Sequence, residues 1–171
     1  TSGEVGLKQV FRTLGEYGRS DVVWKMVMNR TEPSYRVFVD RGLTTLPEYW
    51  NYEELWYGMA RSRNHAMMGH VKEWIMNDLL GIRLAAPGGS VVILQPYVPR
   101  EIQEMHGKLL CSYGEISLSC QVKRRTEQVQ VSLEITLPVG VKGILKEPYV
   151  DGNRQEQSVR EKELGSGTWK E

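Results

Sequence analysis

The sequence predicts a multi-domain chain: an all-α piece over residues 1–86, followed by an antiparallel β-sandwich over residues 87–171. Three observations carry that reading. Apolar residues in the first half recur at the helical period. Those in the second half alternate with polar ones. A breaker-rich join, Ala85-Ala86-Pro87-Gly88-Gly89-Ser90, stands where the period changes.

In the first piece Val10, Phe11, Leu14 and Tyr17 share one helix face, and Gly18 stands at the usual stop. Ser20 is placed to cap a second helix, whose run Val22-Val23-Trp24-Lys25-Met26-Val27-Met28 is apolar almost all round and calls for burial on several sides. Pro33 suits a first helical turn and Gly42 a stop, which gives a third short helix through Tyr35, Val37 and Phe38. The longest helix is expected from His65 to Leu80, with Met67, Met68, Val71, Trp74 and Ile75 on its apolar face and Gly81 ending it. Helices this apolar and this few need more partners than one another. They pack on the sandwich, or their neighbours lie upstream.

In the second piece Val91-Val92-Ile93-Leu94 reads as a buried strand. Ile116, Leu118, Cys120 and Val122 alternate with polar residues, as do Val129, Val131, Leu133, Ile135 and Leu137. Alternation of this length marks half-buried antiparallel strands. Gly143-Ile144-Leu145 starts another strand, and Thr168-Trp169 supplies a last one after the turn Gly165-Ser166-Gly167. The polar run from Asp151 to Glu163 reads as an exposed loop.

Composition narrows the function classes. The 171 residues are enough for a sizeable core, and the net charge of +1 comes from interspersed acids and bases. Neither a nucleic-acid groove nor a basic membrane face is indicated, and no apolar run is long enough to span a bilayer. The two cysteines, Cys111 and Cys120, read as buried free thiols. Asn29-Arg30-Thr31 has the form of a glycosylation sequon, a triplet that chance often supplies. The chain opens at Thr1, shows no signal peptide, and reads as the middle of something longer.

Motifs for chemistry are few. Pro87-Gly88-Gly89 lacks the lysine of a phosphate-cradling loop, and His65 and His70 are spaced wrongly for a shared metal on one helix face. His70 and Glu73 read as a solvated pair on a helix surface. What remains gathers around the irregular stretch Leu43-Thr44-Thr45-Leu46-Pro47-Glu48-Tyr49-Trp50, with Asn64 and His65 beyond it. Carboxylate, imidazole, amide and hydroxyls beside aromatic faces are the mixture that recognises sugars, because sugar hydroxyls need directional partners while their C–H faces lie flat on rings. A carboxylate flanked by aromatic walls is also suited to base catalysis. Read blandly, Glu48 is a loop glutamate, His65 a helix-start residue, and Trp50 and Trp56 are packing residues.

Gly42-Leu43-Thr44-Thr45-Leu46-Pro47-Glu48-Tyr49-Trp50, Ser62-Arg63-Asn64-His65-Ala66-Met67-Met68-Gly69, Val71-Lys72-Glu73-Trp74 and Leu79-Leu80-Gly81-Ile82 together resemble the end of the catalytic domain in bacterial α-L-rhamnosidases. The resemblance extends upstream through Gly15-Glu16-Tyr17-Gly18-Arg19 and downstream through Ser112-Tyr113-Gly114-Glu115 to the terminal Gly165-Ser166-Gly167-Thr168-Trp169. It implies the last helices of an (α/α)6 six-hairpin toroid followed by a C-terminal β-sandwich. It further implies hydrolysis of terminal α-L-rhamnosyl linkages with inversion and no cofactor, a rhamnose-containing glycan as partner, and the upstream part of the same catalytic domain as the source of the general acid. By position, Glu48 is the general base and His65 contacts the sugar, with Trp50 and Asn64 beside it. Without its acid the chain is expected to be inactive alone. The family pattern has tryptophan where this chain has Pro47, which puts one pocket wall in question.

Two other readings stay open at this point. One is a six-hairpin glycosidase or lyase of different sugar specificity; the other is a non-catalytic carbohydrate-binding or structural piece. Sugar-chain degradation fits a periplasmic or extracellular location, which no residue here establishes.

Overall fold

The computed structural model describes residues 3–55, 57–125, 128–151 and 160–171. It forms two compact units, residues 1–74 and residues 75–171.

The first unit is helical. It contains α1 (Glu4–Glu16), α2 (Ser20–Met28), α3 (Tyr35–Asp40), an irregular stretch, a 3-10 turn (Met67–His70) and α4 (Val71–Trp74). α1 buries Leu7 and Phe11, whereas Tyr17, expected on the same stripe, lies beyond the helix and is exposed. Ser20 does not cap α2. It is the first helical residue, and its buried hydroxyl accepts a hydrogen bond from Trp74 Nε1 at 3.3 Å, so tertiary packing has taken the group a cap would use. The cap position falls instead on Ser34 of α3, whose hydroxyl accepts from the Arg36 amide at 3.1 Å. α2 is less enclosed than its composition predicts: Val23 is buried, while Val22, Trp24, Met26, Val27 and Met28 are half-buried.

The expected long helix begins two residues later than its sequence suggests and is not regular. The His65 ring accepts the Met67 amide at 3.1 Å, which occupies a donor that a helix starting at His65 would have left free. The 3-10 turn and α4 follow, and the second unit opens on a π-helical turn (Ile75–Leu79) closed by the Leu80 amide on the Ile75 carbonyl at 2.8 Å. Gly81 ends it as predicted. Its φ of +77° and the Gln95 carbonyl carbon only 2.2 Å from where a Cβ would stand admit no other residue without displacement.

The rest of the second unit is β-structure. Its strands are β1 (Ile82–Leu84), β2 (Val91–Leu94), β3 (Tyr97–Val98), β4 (Glu104–Cys111), β5 (Gly114–Arg124), β6 (Val129–Leu137), β7 (Lys142–Lys146), β8 (Tyr149–Val150), β9 (Glu161–Leu164) and β10 (Gly167–Lys170). One sheet runs β1-β2-β7-β9 and the other β10-β6-β5-β4, with β3 and β8 as a separate pair. Pairing within both large sheets is antiparallel except between β2 and β7, which are parallel, as are β3 and β8. The alternating residues do what their period demands. Ile116, Leu118 and Ile135 from one sheet are fully buried in one core with Ile82, Val92 and Leu94 from the other. β9 occupies the end of the run expected to be a loop; residues 152–159 of that run lie outside the described residues. Cys120 is buried and Cys111 half-buried, both as free thiols, and burial pushes the Cys120 thiol up to about 11.

Candidate active site

The site sits in the helical unit and is built by two irregular segments fastened to each other. The His65 amide donates to the Leu46 carbonyl at 2.8 Å and the Glu48 amide to the Ser62 carbonyl at 3.0 Å. The Thr45 hydroxyl donates to the Arg63 carbonyl at 2.6 Å. This short antiparallel zipper explains the proline. Pro47 falls between the two bonded positions, where no amide is required, and its ring is fully buried.

Beyond Glu48 the chain is anchored from a distance. The Trp50 amide donates to Glu4 Oε1 at 3.2 Å, a residue 46 positions upstream in the first turn of α1. The Trp50 ring stacks on Phe38 with centroids 5.4 Å apart and meets Tyr35 edge-on at 5.2 Å. Tyr35 is the hub of this aromatic floor. It also contacts Phe11 and His70, and its hydroxyl donates to the Met68 carbonyl at 2.9 Å; burial moves its phenol upward from the ordinary range. His70 therefore faces inward, with Nδ1 3.0 Å from the Met67 carbonyl, and does not pair with Glu73. Glu73 is taken by Arg12 at 2.6 Å and Lys8 at 3.7 Å.

The four sequence candidates have distinct settings. Glu48 is half-buried, and its carboxylate meets no hydrogen-bond donor or cation among the described residues. Glu4, Asp21, Glu32, Asp40, Glu53, Glu54 and Glu73 in the same unit each meet one, and Glu16, which like Glu48 meets none, is exposed on the surface rather than half-buried. His65 is half-buried, and because Nδ1 accepts the Met67 amide, the neutral ring carries its proton on Nε2. That nitrogen has no partner among the described residues. Asn64 is exposed, and its backbone N–H donates to the Ser62 hydroxyl at 3.4 Å. Trp50 is more a part of the floor than a free wall, and its buried Nε1 has no partner among the described residues. Trp56 lies outside the described residues.

The zipper brings the backbones bearing Glu48 and His65 together. Sequence reasoning missed Glu4, Arg61 and the role of Thr45. Glu4 carries no local signal, and Arg61 lies outside the quoted motifs; Thr45 stood within one. No cluster of three metal-ligating side chains occurs among the described residues, and no helix there is long and apolar enough to cross a membrane.

Comparison with known proteins identifies the family and the fold. The profile of the bacterial alpha-L-rhamnosidase 6 hairpin glycosidase domain matches residues 1–79, and that of the bacterial alpha-L-rhamnosidase C-terminal domain matches residues 81–163. The chain belongs to the bacterial α-L-rhamnosidase family. An α-L-rhamnosidase of Formosa agariphila is 27% identical over 141 residues, which cover 80% of this chain and 15% of that protein. One from Streptomyces avermitilis is 24% identical and covers 98% of this chain and 17% of its own length. Among solved structures, the α-L-rhamnosidase from Dictyoglumus thermophilum aligns with a TM-score of 0.79 at 26% identity, over 98% of this chain and 20% of that one. The S. avermitilis enzyme complexed with L-rhamnose aligns with a TM-score of 0.82 at 24% identity, over 98% and 17%. The chain thus spans less than a fifth of the length of the first two of these rhamnosidases.

Proposed function

We propose that this chain carries the general-base side of an inverting glycoside hydrolase that removes terminal α-L-rhamnosyl residues. Residues 1–86 belong to its catalytic domain and residues 87–171 to its C-terminal β-sandwich. Glu48 is the base, His65 and Asn64 contact the sugar, and Trp50 supports the pocket from its floor. The observation that carries the reading is the unpartnered, half-buried carboxylate of Glu48 on a loop tied to the His65 segment. A carboxylate so placed is free to take a proton from water, whereas an ion-paired one would first lose its partner.

Inversion uses two carboxyl groups. One protonates the departing glycosidic oxygen, and the other deprotonates the water that attacks the opposite face of the sugar, the pair standing roughly 6.5–9.5 Å apart to admit that water. Glu48 takes the second role; the acid comes from an upstream part of the same catalytic domain, so the isolated chain does not turn over. His65 Nε2–H donates to a sugar hydroxyl, and the exposed Asn64 amide can bond a second one.

The test is hydrolysis of an aryl α-L-rhamnoside by the complete reading frame that encodes this chain, beside its Glu48→Gln variant. Removing a general base should lower kcat by about 10²–10⁴ while the melting temperature holds. The first product seen by NMR should be the β-anomer. Full activity in the folded variant would return Glu48 to ordinary loop chemistry.

A further inference from the structure

The zipper fastens Glu48 from one side. Its own amide is bonded to the Ser62 carbonyl, and the ties of Thr45 and Leu46 lie before it in the chain. After Glu48 the backbone is held by the Trp50 amide, which donates to Glu4 Oε1 at 3.2 Å. The two bonded amides, of Glu48 and Trp50, bracket the peptide groups that set the direction of the Glu48 side chain. Arg61 braces the loop just beyond, its Nη1 donating to Asn51 Oδ1 at 2.5 Å. That contact fixes a side chain and leaves the Trp50 peptide to Glu4.

Glu4 reaches that amide from a rigid mount. It opens α1, and the buried Leu7 and Phe11, three and seven positions on, share its face of the helix. That face grips Trp50 twice. Glu4 takes the amide, while Phe11 packs on Tyr35, whose ring meets the Trp50 ring. Glu4 also forgoes the partner its own helix offers. Lys8 stands four positions on, in the order that favours an ion pair on a helix surface. Lys8 reaches Glu73 at 3.7 Å instead, and Glu4 has no ion pair among the described residues. An acid in a first helical turn also suits the helix dipole, but that effect acts on stability and not on Glu48.

We infer that Glu4 is a positioning residue for the reaction: its carboxylate holds the Trp50 amide, and through it the Glu48 backbone, in the arrangement from which Glu48 takes a proton from water. The inference rests on the reading of Glu48 as base. Misplacing a catalytic group by about 1 Å costs on the order of 10²-fold in rate, so loss of the tie falls on kcat and not on substrate binding.

The experiment compares the complete reading frame with its Glu4→Ala, Glu4→Gln and Glu48→Gln variants on an aryl α-L-rhamnoside. kcat and KM are measured separately, and amide hydrogen exchange at Trp50 is read alongside. Glu4→Ala should lower kcat by roughly ten- to hundredfold with KM within about threefold, and exchange at Trp50 should quicken. Glu4→Gln keeps a carbonyl acceptor of the same reach while dropping the charge, so it should recover most of the rate and the protection. A role confined to the helix dipole predicts otherwise: Ala and Gln alike lower the melting temperature and leave kcat alone. A full kcat in Glu4→Ala, a kcat that Glu4→Gln fails to recover, or a rate loss without faster exchange at Trp50 overturns the inference. Should Glu4→Ala fail to fold, Glu4→Asp takes its place. It keeps the charge at the helix start but withdraws the carboxylate by one methylene, and its kcat should fall in the same way. Glu48→Gln separates the two ideas. Hydrolysis that depends on Glu48 but ignores Glu4 sinks this inference only, and hydrolysis indifferent to Glu48, or none at all, overturns both.

Discussion

The β unit and the helical unit solve different problems with similar raw material. In the β unit each alternating strand finds a second sheet, and Ile82, Val92, Leu94, Ile116, Leu118 and Ile135 are sealed completely. In the helical unit Leu7, Phe11, Val23 and Phe38 are buried but Val5 is 81% exposed and Val39 70%, while in the β unit exposure of that order falls on Leu110 near the end of β4 and on Val139 between β6 and β7. Polar groups of the helical unit are also left open, among them the Glu48 carboxylate and the Nε1 of Trp50. The lesson is a division of labour. The open carboxylate of Glu48 belongs to an irregular segment of the helical unit, and the largest sealed apolar core belongs to the sheets.

The sharpest way to test that division is to damage packing and chemistry separately. Ile135→Ala removes most of a fully buried side chain between two sheets and should cost about 2–5 kcal/mol, read as a lower urea midpoint. In the complete enzyme, turnover per folded molecule should stay unchanged. A kcat loss matching that of Glu48→Gln would mean that the sheets carry chemistry after all, and the comparison would fail. The next effect is smaller and lies in the zipper. Thr45→Val removes the one hydroxyl that ties the Glu48 segment to the Arg63 carbonyl, and it should lower kcat by roughly three- to tenfold, in line with one lost hydrogen bond, with little change in melting temperature. Thr45→Ser should restore most of the rate, because it keeps the donor. A rate indifferent to both changes would show that the backbone bonds hold the register unaided.

How much of this was legible in the sequence follows from the same division. Strands β2, β5, β6, β7 and β10 announced themselves because period two is a local property, readable over a few residues. Strands β1, β3, β4, β8 and β9 did not. β4 exposes every second side chain and seals none, and β1, β3 and β8 are two or three residues long. The stops at Gly18, Gly42 and Gly81 were readable from local backbone demands, and all three adopt positive φ. Ser20 misled because a residue suited to capping was taken into the core by Trp74, a partner 54 positions away. The candidate residues could be picked out as residue types suited to sugar binding, but their assembly could not. The zipper depends on Leu46 meeting His65 and Glu48 meeting Ser62, and the Trp50 anchor depends on Glu4. No local pattern encodes pairings between irregular segments.

The gentlest test concerns the surface of the helical unit. Arg12 hydrogen-bonds Glu73 and holds its carboxyl below the usual glutamate range, and Arg19 does the same for Asp21. A carboxyl whose folded value is depressed stabilises the fold above its unfolded value, and that contribution is lost as pH falls through the folded one. The helical unit should therefore weaken from about the ordinary glutamate value of 4.5 downward. Glu73→Gln should flatten part of that acid limb while costing at most about 2 °C at neutral pH, because solvent screens a pair this open. The β unit offers a control through Ile135→Ala, whose cost should be the same at pH 7 and pH 4, since an apolar cavity does not titrate. A Glu73→Gln melting curve that tracks the unaltered chain over the whole acid range would remove the ion pair from the account of stability and leave the helical unit resting on its aromatic floor.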